Sequence, residues 1–308
     1  MHIMVKANKG NPLKYFPRRS RRKRRFAGIF LYFFVIVLIN LYKNWYTKVS
    51  IMQRSFSTEA IILNLKPAGE NNTSVTIITP DKGILYVTLY GGPKSKMRSV
   101  VSQWNCGIIY LYENPEKNQT KISDFDLKKF HSTFGQNLFK LYAASLATEL
   151  TIKTHCGGSN QQAFYLLQGF LDGMDLCNEE QSRLGLIRYL WRYLFLLGVQ
   201  PDTGACGICG KDFFRTQFDN DMFSYYNISD NFFVCSDCTL QHPKSDFGKL
   251  SYNSLYYLYG ITNLSPKDAR NIKIDKNCYE QLKQLVFFLI ENNSGCKLNS
   301  IETSVGIL

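Results

Sequence analysis

The chain contains Cys206-Gly-Ile-Cys209 and Cys235-Ser-Asp-Cys238, two cysteine pairs that each enclose two residues. This gap lets both sulfurs of a tight turn face one ion, and two such turns supply the four ligands of a tetrahedral zinc site. A site with four thiolates leaves no position for water, so its zinc would hold the fold together rather than activate a substrate. The sequence therefore predicts a structural zinc ion bound by Cys206, Cys209, Cys235 and Cys238.

The residues around and between these pairs favour a zinc ribbon. Residues 212–218 and 221–234 form two extended runs that a hairpin would join. Gly207 and Gly210 suit a turn that points backbone N–H groups at sulfur, because glycine tolerates a positive φ angle. Unligated or redox-active thiols are the alternative. The other five cysteines stand alone, as expected for reduced interior thiols: Cys106, Cys156, Cys177, Cys278 and Cys296.

The charge of the chain is concentrated at its beginning. The 308 residues have a formal net charge of +13. Residues 1–51 hold 12 Lys and Arg and no acidic residue, which leaves 25 basic and 24 acidic residues in 52–308. A nearly neutral body excludes a uniformly basic surface, so any anion-binding surface would have to be a local patch. The length allows two domains with a substantial core.

Residues 1–51 form a basic and apolar leader. A basic run from Arg18 to Arg25 precedes 17 uncharged residues, 26–42, which is the lower limit for a membrane-spanning helix. An anchor would export the cysteines into a compartment that oxidises thiols, and no small-residue cleavage site follows for a signal peptide. We therefore expect translation to begin at Met52, with residues 1–51 as a mis-assigned start. A membrane anchor or a signal peptide is the alternative.

Short runs rich in β-branched and aromatic residues predict a small β-domain over residues 52–125. Turns containing Gly, Asn or Pro separate them. The candidate strands are residues 59–65, 74–79, 83–90, 100–112 and 121–125. Five strands in about 70 residues suit a closed barrel of the OB-fold kind, with an SH3-like barrel as the alternative.

One stretch of this β-domain is locally basic. No acidic residue occurs between Asp81 and Glu113, while basic and aromatic residues cluster around the turn at residues 91–99. Cations can follow the phosphates of a nucleic-acid strand, and aromatic rings can stack on its bases. The candidate DNA contacts are Lys82, Lys94, Lys96, Arg98, Tyr86 and Tyr90. A solvated hairpin whose aromatic residues belong to the core is the alternative.

After Asp126 the apolar period changes from two to about 3.6, which predicts a helical domain. This domain would cover residues 126–308, with the zinc ribbon inserted at 204–240. Its first apolar stripe begins at Leu127. Further predicted helices cover residues 159–176, 179–197, 251–259 and 275–291, followed by a loose tail after residue 292.

The sequence offers no set of catalytic residues. None of its histidines has a metalloprotease-like partner, and no nucleophile elbow or phosphate-binding glycine loop is present. Asp124 and Asp126 could bind a hard cation, but two carboxylates ahead of a predicted helix are more typical of partners for the helix dipole. We therefore expect a protein that is not an enzyme.

The order of several motifs resembles the family of the recombination mediator RecO. The motifs are Glu59-Ala-Ile-Ile-Leu63, Gly69-Glu70, Thr79-Pro-Asp-Lys-Gly83, Lys94-Ser-Lys96 within residues 91–99, Glu149-Leu150, and Leu197-Gly-Val-Gln-Pro201 leading into Cys206. The resemblance spans residues 55–260. Members of that family begin a few residues before the Glu-Ala strand, which favours Met52 as the start.

The resemblance implies an α+β architecture, in which an N-terminal five-stranded OB-fold barrel precedes an α-helical domain with a four-cysteine zinc ribbon. It implies a cytoplasmic mediator of DNA repair and recombination that binds single- and double-stranded DNA and anneals complementary strands. With RecR, such a protein helps to load RecA onto strands coated by single-stranded-DNA-binding protein, whose acidic C-terminal tail is a further partner. By position, Lys94, Lys96 and Arg98 would contact DNA, and the four cysteines would hold zinc.

Two functions of other classes stay open at this point. The leader and the zinc ribbon together would suit a membrane-tethered adaptor whose task is protein contact. A metal-dependent nuclease that uses Asp124 and Asp126 is the third hypothesis.

Overall fold

A computed structural model describes residues 37–39, 54–92, 95–215, 223–241 and 249–308 of the protein. The chain divides into two compact units, Met1–Arg54 and Ser55–Leu308. The predicted leader lies outside the described residues except for 37–39, which are helical and exposed. Among the described residues, no helix is both long and apolar enough to cross a membrane.

Five strands close into a barrel at the start of the second unit. They are β1 (Ser55–Pro67), β2 (Asn72–Thr79), β3 (Gly83–Tyr90), β4 (Cys106–Asn114) and β5 (Gln119–Lys129). The order around the barrel is β1-β2-β3-β5-β4, and β4 pairs with β1 to close it. Neighbouring strands are antiparallel except β3 and β5, which run parallel. The prediction of an α+β protein with an N-terminal five-stranded β-domain is confirmed.

Side chains along each strand point alternately into and out of the barrel, and the inward ones fill its interior. On β3, Val87 and Leu89 point inward and are buried, while Tyr86 and Tyr90, which flank them in sequence, are exposed. Burying one large apolar side chain contributes roughly 1.5–3 kcal/mol, so this interior stabilises the barrel strongly. The interior residues are Ala60, Ile62, Val75, Ile77, Val87, Leu89, Val101, Ile109, Leu111, Ile122 and Phe125.

The segment between β3 and β4 is not the strand that the sequence predicts for residues 100–105. A short helix, α1 (Lys96–Val100), places Val101 in the barrel interior, and β4 starts only at Cys106. Between them Trp104 has a φ angle of +65°. Its backbone N–H donates to the carbonyl of Ile62 at 2.7 Å. The strand prediction was wrong here because Trp104 bonds to β1. The sequence pattern around residue 104 does not reveal this contact with a distant strand.

The predicted helical stripe from Leu127 is also wrong in its first part. Strand β5 continues to Lys129, because Leu127 still pairs with Gly107 of β4. The first long helix begins at Leu138, where the Asn137 side chain accepts a hydrogen bond from the backbone N–H of Lys140 at 2.9 Å. The apolar residues between Leu127 and Leu138 follow a helical spacing, but they belong to the end of β5 and to the loop after it.

The rest of the second unit is mainly helical. Its helices are α2 (Leu138–Lys153), α3 (Asn160–Leu176), α4 (Glu179–Leu196), α5 (Ser236–Gln241), α6 (Tyr252–Asn263), α7 (Pro266–Asn271), α8 (Lys276–Asn293) and α9 (Asn299–Thr303). The predicted start of α3 is confirmed, since Ser159 caps it by accepting from the N–H of Gln162 at 3.3 Å. Gly198, with a φ angle of +71°, ends α4 as predicted.

A small sheet follows α4. It consists of β6 (Phe223–Asn227), β7 (Phe232–Cys235) and β8 (Lys249–Ser251), in the order β7-β6-β8. The predicted extended run 221–234 is broken into two strands, because the Asn227 side chain accepts bonds from the backbone N–H groups of Ser229 and Asp230 and forms a turn. Of the run 212–218, the described residues make only one bridge, between Ala205 and Asp212.

The barrel packs on the helices through a polar joint. The indole N–H of Trp104 donates to the hydroxyl of Thr148 on α2 at 3.0 Å. His131, which is buried, contacts the Trp104 carbonyl at 2.9 Å through Nδ1 and a carboxylate oxygen of Asp172 at 3.0 Å through Nε2. These bonds satisfy buried polar groups of both parts, so they fix the barrel against α2 and α3.

The predicted loose tail is instead packed against α2. Leu298 and Leu308 are buried in the core, and the carboxylate of Glu149 accepts bonds from the backbone N–H groups of Asn299 and Ser300 at 3.0 and 2.7 Å. Burial raises the pKa of Glu149, but these bonds and the one from Lys153 outweigh it and hold the pKa below its ordinary value. The tail prediction failed because the capping carboxylate comes from a distant helix.

Candidate functional site

The four predicted metal ligands lie together. The Sγ atoms of Cys206, Cys209, Cys235 and Cys238 are all within 4.8 Å of one another, and those of Cys209 and Cys235 are 3.8 Å apart. Four sulfurs placed 2.3 Å from a central ion form a tetrahedron with edges of about 3.8 Å, so the cluster fits a metal ion. Cys209 is exposed and the other three are buried.

The first cysteine pair lies in a turn stabilised by backbone hydrogen bonds. The N–H of Gly210 donates to the carbonyl of Cys206 at 2.9 Å, and the N–H of Cys235 points at the Cys206 sulfur at 3.4 Å. Burial raises the pKa of Cys206, but the backbone N–H groups of Cys209, Cys235 and Ile208 outweigh it and lower the pKa to about 7. These N–H groups therefore favour the thiolate of Cys206, which is the form of cysteine that binds a metal.

The two glycines of this turn have different roles. Gly210 has a φ angle of +71°, as predicted. Gly207 does not have a positive φ angle, so that part of the prediction was wrong. Instead, a Cβ atom on Gly207 would lie 2.3 Å from Cγ of Phe232. Gly207 is needed because the Phe232 side chain of β7 lies too close for any side chain at position 207.

The second pair connects the cluster to the helices. Cys235 ends β7 and Cys238 lies in α5. Phe233 and Val234 belong to the same buried core as the long helices, and the side-chain amide of Asn231 donates to the carbonyl of Val199 at 3.0 Å. A metal ion bound by all four sulfurs would link β7 and α5 to the turn at Cys206 and Cys209.

The predicted DNA contacts fall on different parts of the barrel. Tyr86 and Tyr90 project from β3 with 63% and 45% of their surface exposed. Lys96 opens α1 and is exposed, whereas Lys94 lies outside the described residues.

Two of the predicted basic contacts already have partners within the barrel. Lys82 forms an ion pair with Glu113 at 3.2 Å, and its Nζ lies 3.6 Å from the centroid of the Phe56 ring. The guanidinium of Arg98 donates to the carbonyls of Gly91 at 3.1 Å and Asn71 at 3.3 Å. The structure therefore gives Arg98 a supporting role in the loop, in addition to any contact with a ligand.

A groove on the outside of the barrel was missed by the sequence analysis. It encloses about 550 Å³ beside Tyr90 and contains Tyr112 of β4 and Lys121 of β5, with the Nζ of Lys121 4.8 Å from the Tyr112 ring centroid. Lys117 lies at its edge, in the β4–β5 loop. The sequence does show Tyr110 and Tyr112 two residues apart, which places both on one face of a strand. It does not show the register that brings Tyr112 beside Lys121, so the groove could not be predicted from it.

A second groove lies between α3, α4 and α7. Gly169 and Gly173 leave its floor open, and apolar residues such as Phe170 and Met174 line it over about 290 Å³. Arg188, Arg192 and Arg270 also line it. Burial and the two neighbouring guanidinium groups lower the pKa of Arg192, as expected where like charges crowd together.

The two acidic residues considered for a cation site lie in a strand and have other partners. Asp124 and Asp126 lie in β5, not ahead of a helix. Asp124 accepts a hydrogen bond from the backbone N–H of Phe125, and Asp126 pairs with Lys128. Among the described residues, the four cysteines are the group of possible ligands that could hold a metal ion.

The fold and this cluster define an α+β protein in which a closed five-stranded barrel precedes a helical body with a four-cysteine candidate metal centre. Residues 135–302 match the family model described as recombination protein O C terminal. This match covers more than half of the chain. The chain therefore belongs to the RecO family.

Individual relatives agree with this assignment. The DNA repair protein RecO of Desulforamulus reducens is 24% identical over 253 residues, which cover 80% of this chain and 93% of the relative. That of Bacillus pumilus is 27% identical over 248 residues, covering 79% and 91%. That of Synechococcus elongatus is 27% identical over 166 residues, covering 50% of this chain and 59% of the relative. The chain thus spans about three fifths of the cyanobacterial relative it matches.

Proposed function

We propose that this protein is a non-enzymatic mediator of DNA repair and recombination. It binds single- and double-stranded DNA and anneals complementary strands, and with RecR it helps to load RecA onto coated single strands. The relatives named DNA repair proteins support the DNA repair role. The observation that carries the DNA-binding part is the pair of exposed rings on β3, Tyr86 and Tyr90, next to a stretch without acidic residues.

The barrel is proposed to be an OB-fold. The order β1-β2-β3-β5-β4, closed between β1 and β4 and with a helix between β3 and β4, supports this assignment. OB-folds commonly bind oligonucleotides on one face of the barrel and with adjacent loops. We therefore propose DNA contacts from Lys82, Lys96, Arg98, Tyr86 and Tyr90, and also from Lys94, which lies outside the described residues.

The cysteine cluster is proposed to hold one zinc ion with a structural role. Zinc prefers a tetrahedral set of four thiolates, and the spacing of the sulfurs supports that choice over a hard cation. When bound, the ion would contribute to folding rather than to a reaction.

The arginine-lined groove of the helical body is proposed to receive the acidic tail of the single-stranded-DNA-binding protein. Its apolar floor suits the hydrophobic end of a peptide, and Arg188, Arg192 and Arg270 suit carboxylates. The depressed pKa of Arg192 supports this proposal, because an anion would relieve the crowding of positive charge.

An annealing assay tests the proposed function. Two complementary strands, each coated with single-stranded-DNA-binding protein, are mixed with the full chain, and duplex formation is followed by fluorescence energy transfer. We expect faster annealing than with the coat protein alone. Unchanged annealing, together with no binding to naked single strands, would refute the mediator role.

Binding of a synthetic acidic peptide with an apolar C-terminal residue tests the second groove. We expect Arg192→Ala to weaken its binding about tenfold or more, since a hydrogen bond to a charged group contributes about 1.5–3 kcal/mol. Lys276→Ala, exposed at the start of α8 and outside the groove, is the matched control. Equal affinities for both variants would place the peptide elsewhere.

A further inference from the structure

The groove on the outside of the barrel is positively charged and lacks opposing acids. The lining residues that matter for ligand binding are Tyr90, Tyr112, Lys117 and Lys121. Among the described residues, neither Lys117 nor Lys121 forms an ion pair, in contrast to Lys82. Glu116 neighbours Lys117 in sequence but does not line the groove. The two ammonium groups are therefore available to an anionic ligand.

Strand register fixes the order of the groove residues. Lys121 of β5 lies opposite Thr88 of β3 on one side and opposite Tyr112 of β4 on the other. Tyr90 follows two residues after Thr88, on the same face of β3. The groove therefore has an aromatic ring on each side of a central lysine.

The loop at the end of the groove is held in place. The side chain of Asn114 accepts hydrogen bonds from the backbone N–H groups of Glu116 and Lys117 at 3.1 and 3.4 Å. Asn118 closes the turn with a φ angle of +44°. Because these contacts order the loop before any ligand arrives, Lys117 needs little reorganisation to contact one.

We propose that this groove binds a single strand through its unpaired bases, with Tyr90 and Tyr112 as stacking platforms and Lys117 and Lys121 as phosphate contacts. The proposal rests on the proposed function and names the form of nucleic acid that this part of the barrel selects. A base can stack on a tyrosine ring only when its own face is free. In the interior of a duplex both faces of each base are covered by neighbouring pairs, so a duplex can meet only the lysines.

The test compares two DNA probes by fluorescence anisotropy. One is a labelled homopolymeric single strand, and the other is a hairpin duplex without unpaired ends. Tyr112→Ala should weaken single-strand binding about 5- to 150-fold, the equivalent of one lost stack, and leave duplex binding unchanged. Tyr112→Phe, which keeps the ring, should bind the single strand as the wild type does.

Two further variants make the result specific. Tyr110→Ala is the matched control, because Tyr110 lies two residues earlier on the same strand and face but outside the groove. It should not change single-strand binding. Lys121→Gln should reduce the slope of log affinity against log salt by about 0.7 for the single strand. Because Lys121 is exposed, this variant decides the question if Tyr112→Ala does not fold.

The possible failures are distinguishable. If the wild type binds neither probe, the proposed function itself fails. If the wild type binds DNA but Lys121→Gln leaves the salt slope unchanged, only the groove assignment is overturned. Equal losses for both probes with Tyr112→Ala would also overturn it, because they would indicate a general structural effect.

Discussion

Replacing Gly207 by alanine should disturb the metal centre without touching a ligand. The added Cβ would lie 2.3 Å from Cγ and 2.9 Å from Cβ of Phe232. Carbon atoms in contact are about 3.5–4.0 Å apart, so the shortfall exceeds roughly 1 Å. Cδ2 of Phe232 is also close, at 2.4 Å, and Cβ of Phe232 cannot move without its backbone. We therefore expect β7 to shift away from the cysteine turn.

The expected loss of stability is about 1–3 kcal/mol, the usual cost of overpacking. The shift should also stretch the bond from the Gly207 N–H to the Phe233 carbonyl, now 2.9 Å, which lies between the two cysteine pairs. Supporting contacts of this kind typically change metal affinity by about 10–100-fold. Melting followed by circular dichroism and zinc transfer to a colorimetric chelator measure the two effects.

Controls separate the clash from the loss of a glycine. Gly173→Ala, in the interior of α3 with no atom within 4 Å of the new Cβ, should leave the melting temperature unchanged or raise it slightly. Adding Phe232→Ala to Gly207→Ala should restore part of the metal retention, because it removes the ring atoms from the clash and leaves only the contact between the two Cβ atoms at 2.9 Å. If Gly207→Ala retains zinc and stability like the wild type, the account of the close approach is refuted.

Three further results are expected. Chelation should lower the melting temperature of the wild type by about 2–4 °C for each kcal/mol that the metal contributes. It should not change the melting temperature of Cys209→Ser, because that variant has already lost a ligand. Equal responses of the two proteins would exclude a structural metal. Glu149→Gln should lower the melting temperature near neutral pH. The difference in melting temperature from the wild type should shrink as pH falls below about 4, because a carboxyl whose pKa is lowered by folding stabilises the protein only while it is ionised. A difference that stays constant with pH would contradict this. Trp104→Phe should cost about 1–3 kcal/mol in urea unfolding, since Thr148 loses its buried partner, and an unchanged midpoint would refute the role of this joint.

Local signals predicted the parts of the fold that local interactions determine. Ser159 and Gly198 mark the ends of two helices because capping depends on neighbouring residues only. The spacing of the cysteines predicted the cluster for a similar reason, since each pair lies within one turn. On β3 the buried Val87 follows the exposed Tyr86, in agreement with the period of two along a strand.

Pairing between distant segments explains the remaining differences. Leu127 follows a helical spacing, yet it lies in a strand because Gly107 pairs with it. The outer groove depends on the register that brings Tyr112 opposite Lys121, and no local pattern contains that register. Arg98 also could not be recognised as a partner of loop carbonyls from its position in a basic run.

The salt dependence of single-strand binding by the full chain tests the central claim most directly. Affinity for a labelled oligonucleotide is measured by anisotropy over a series of salt concentrations. If the barrel binds the phosphates of DNA, log affinity should fall linearly with log salt, with a slope of about −0.7 for each phosphate contacted. No binding at low salt, or an affinity that does not change with salt, would contradict the account.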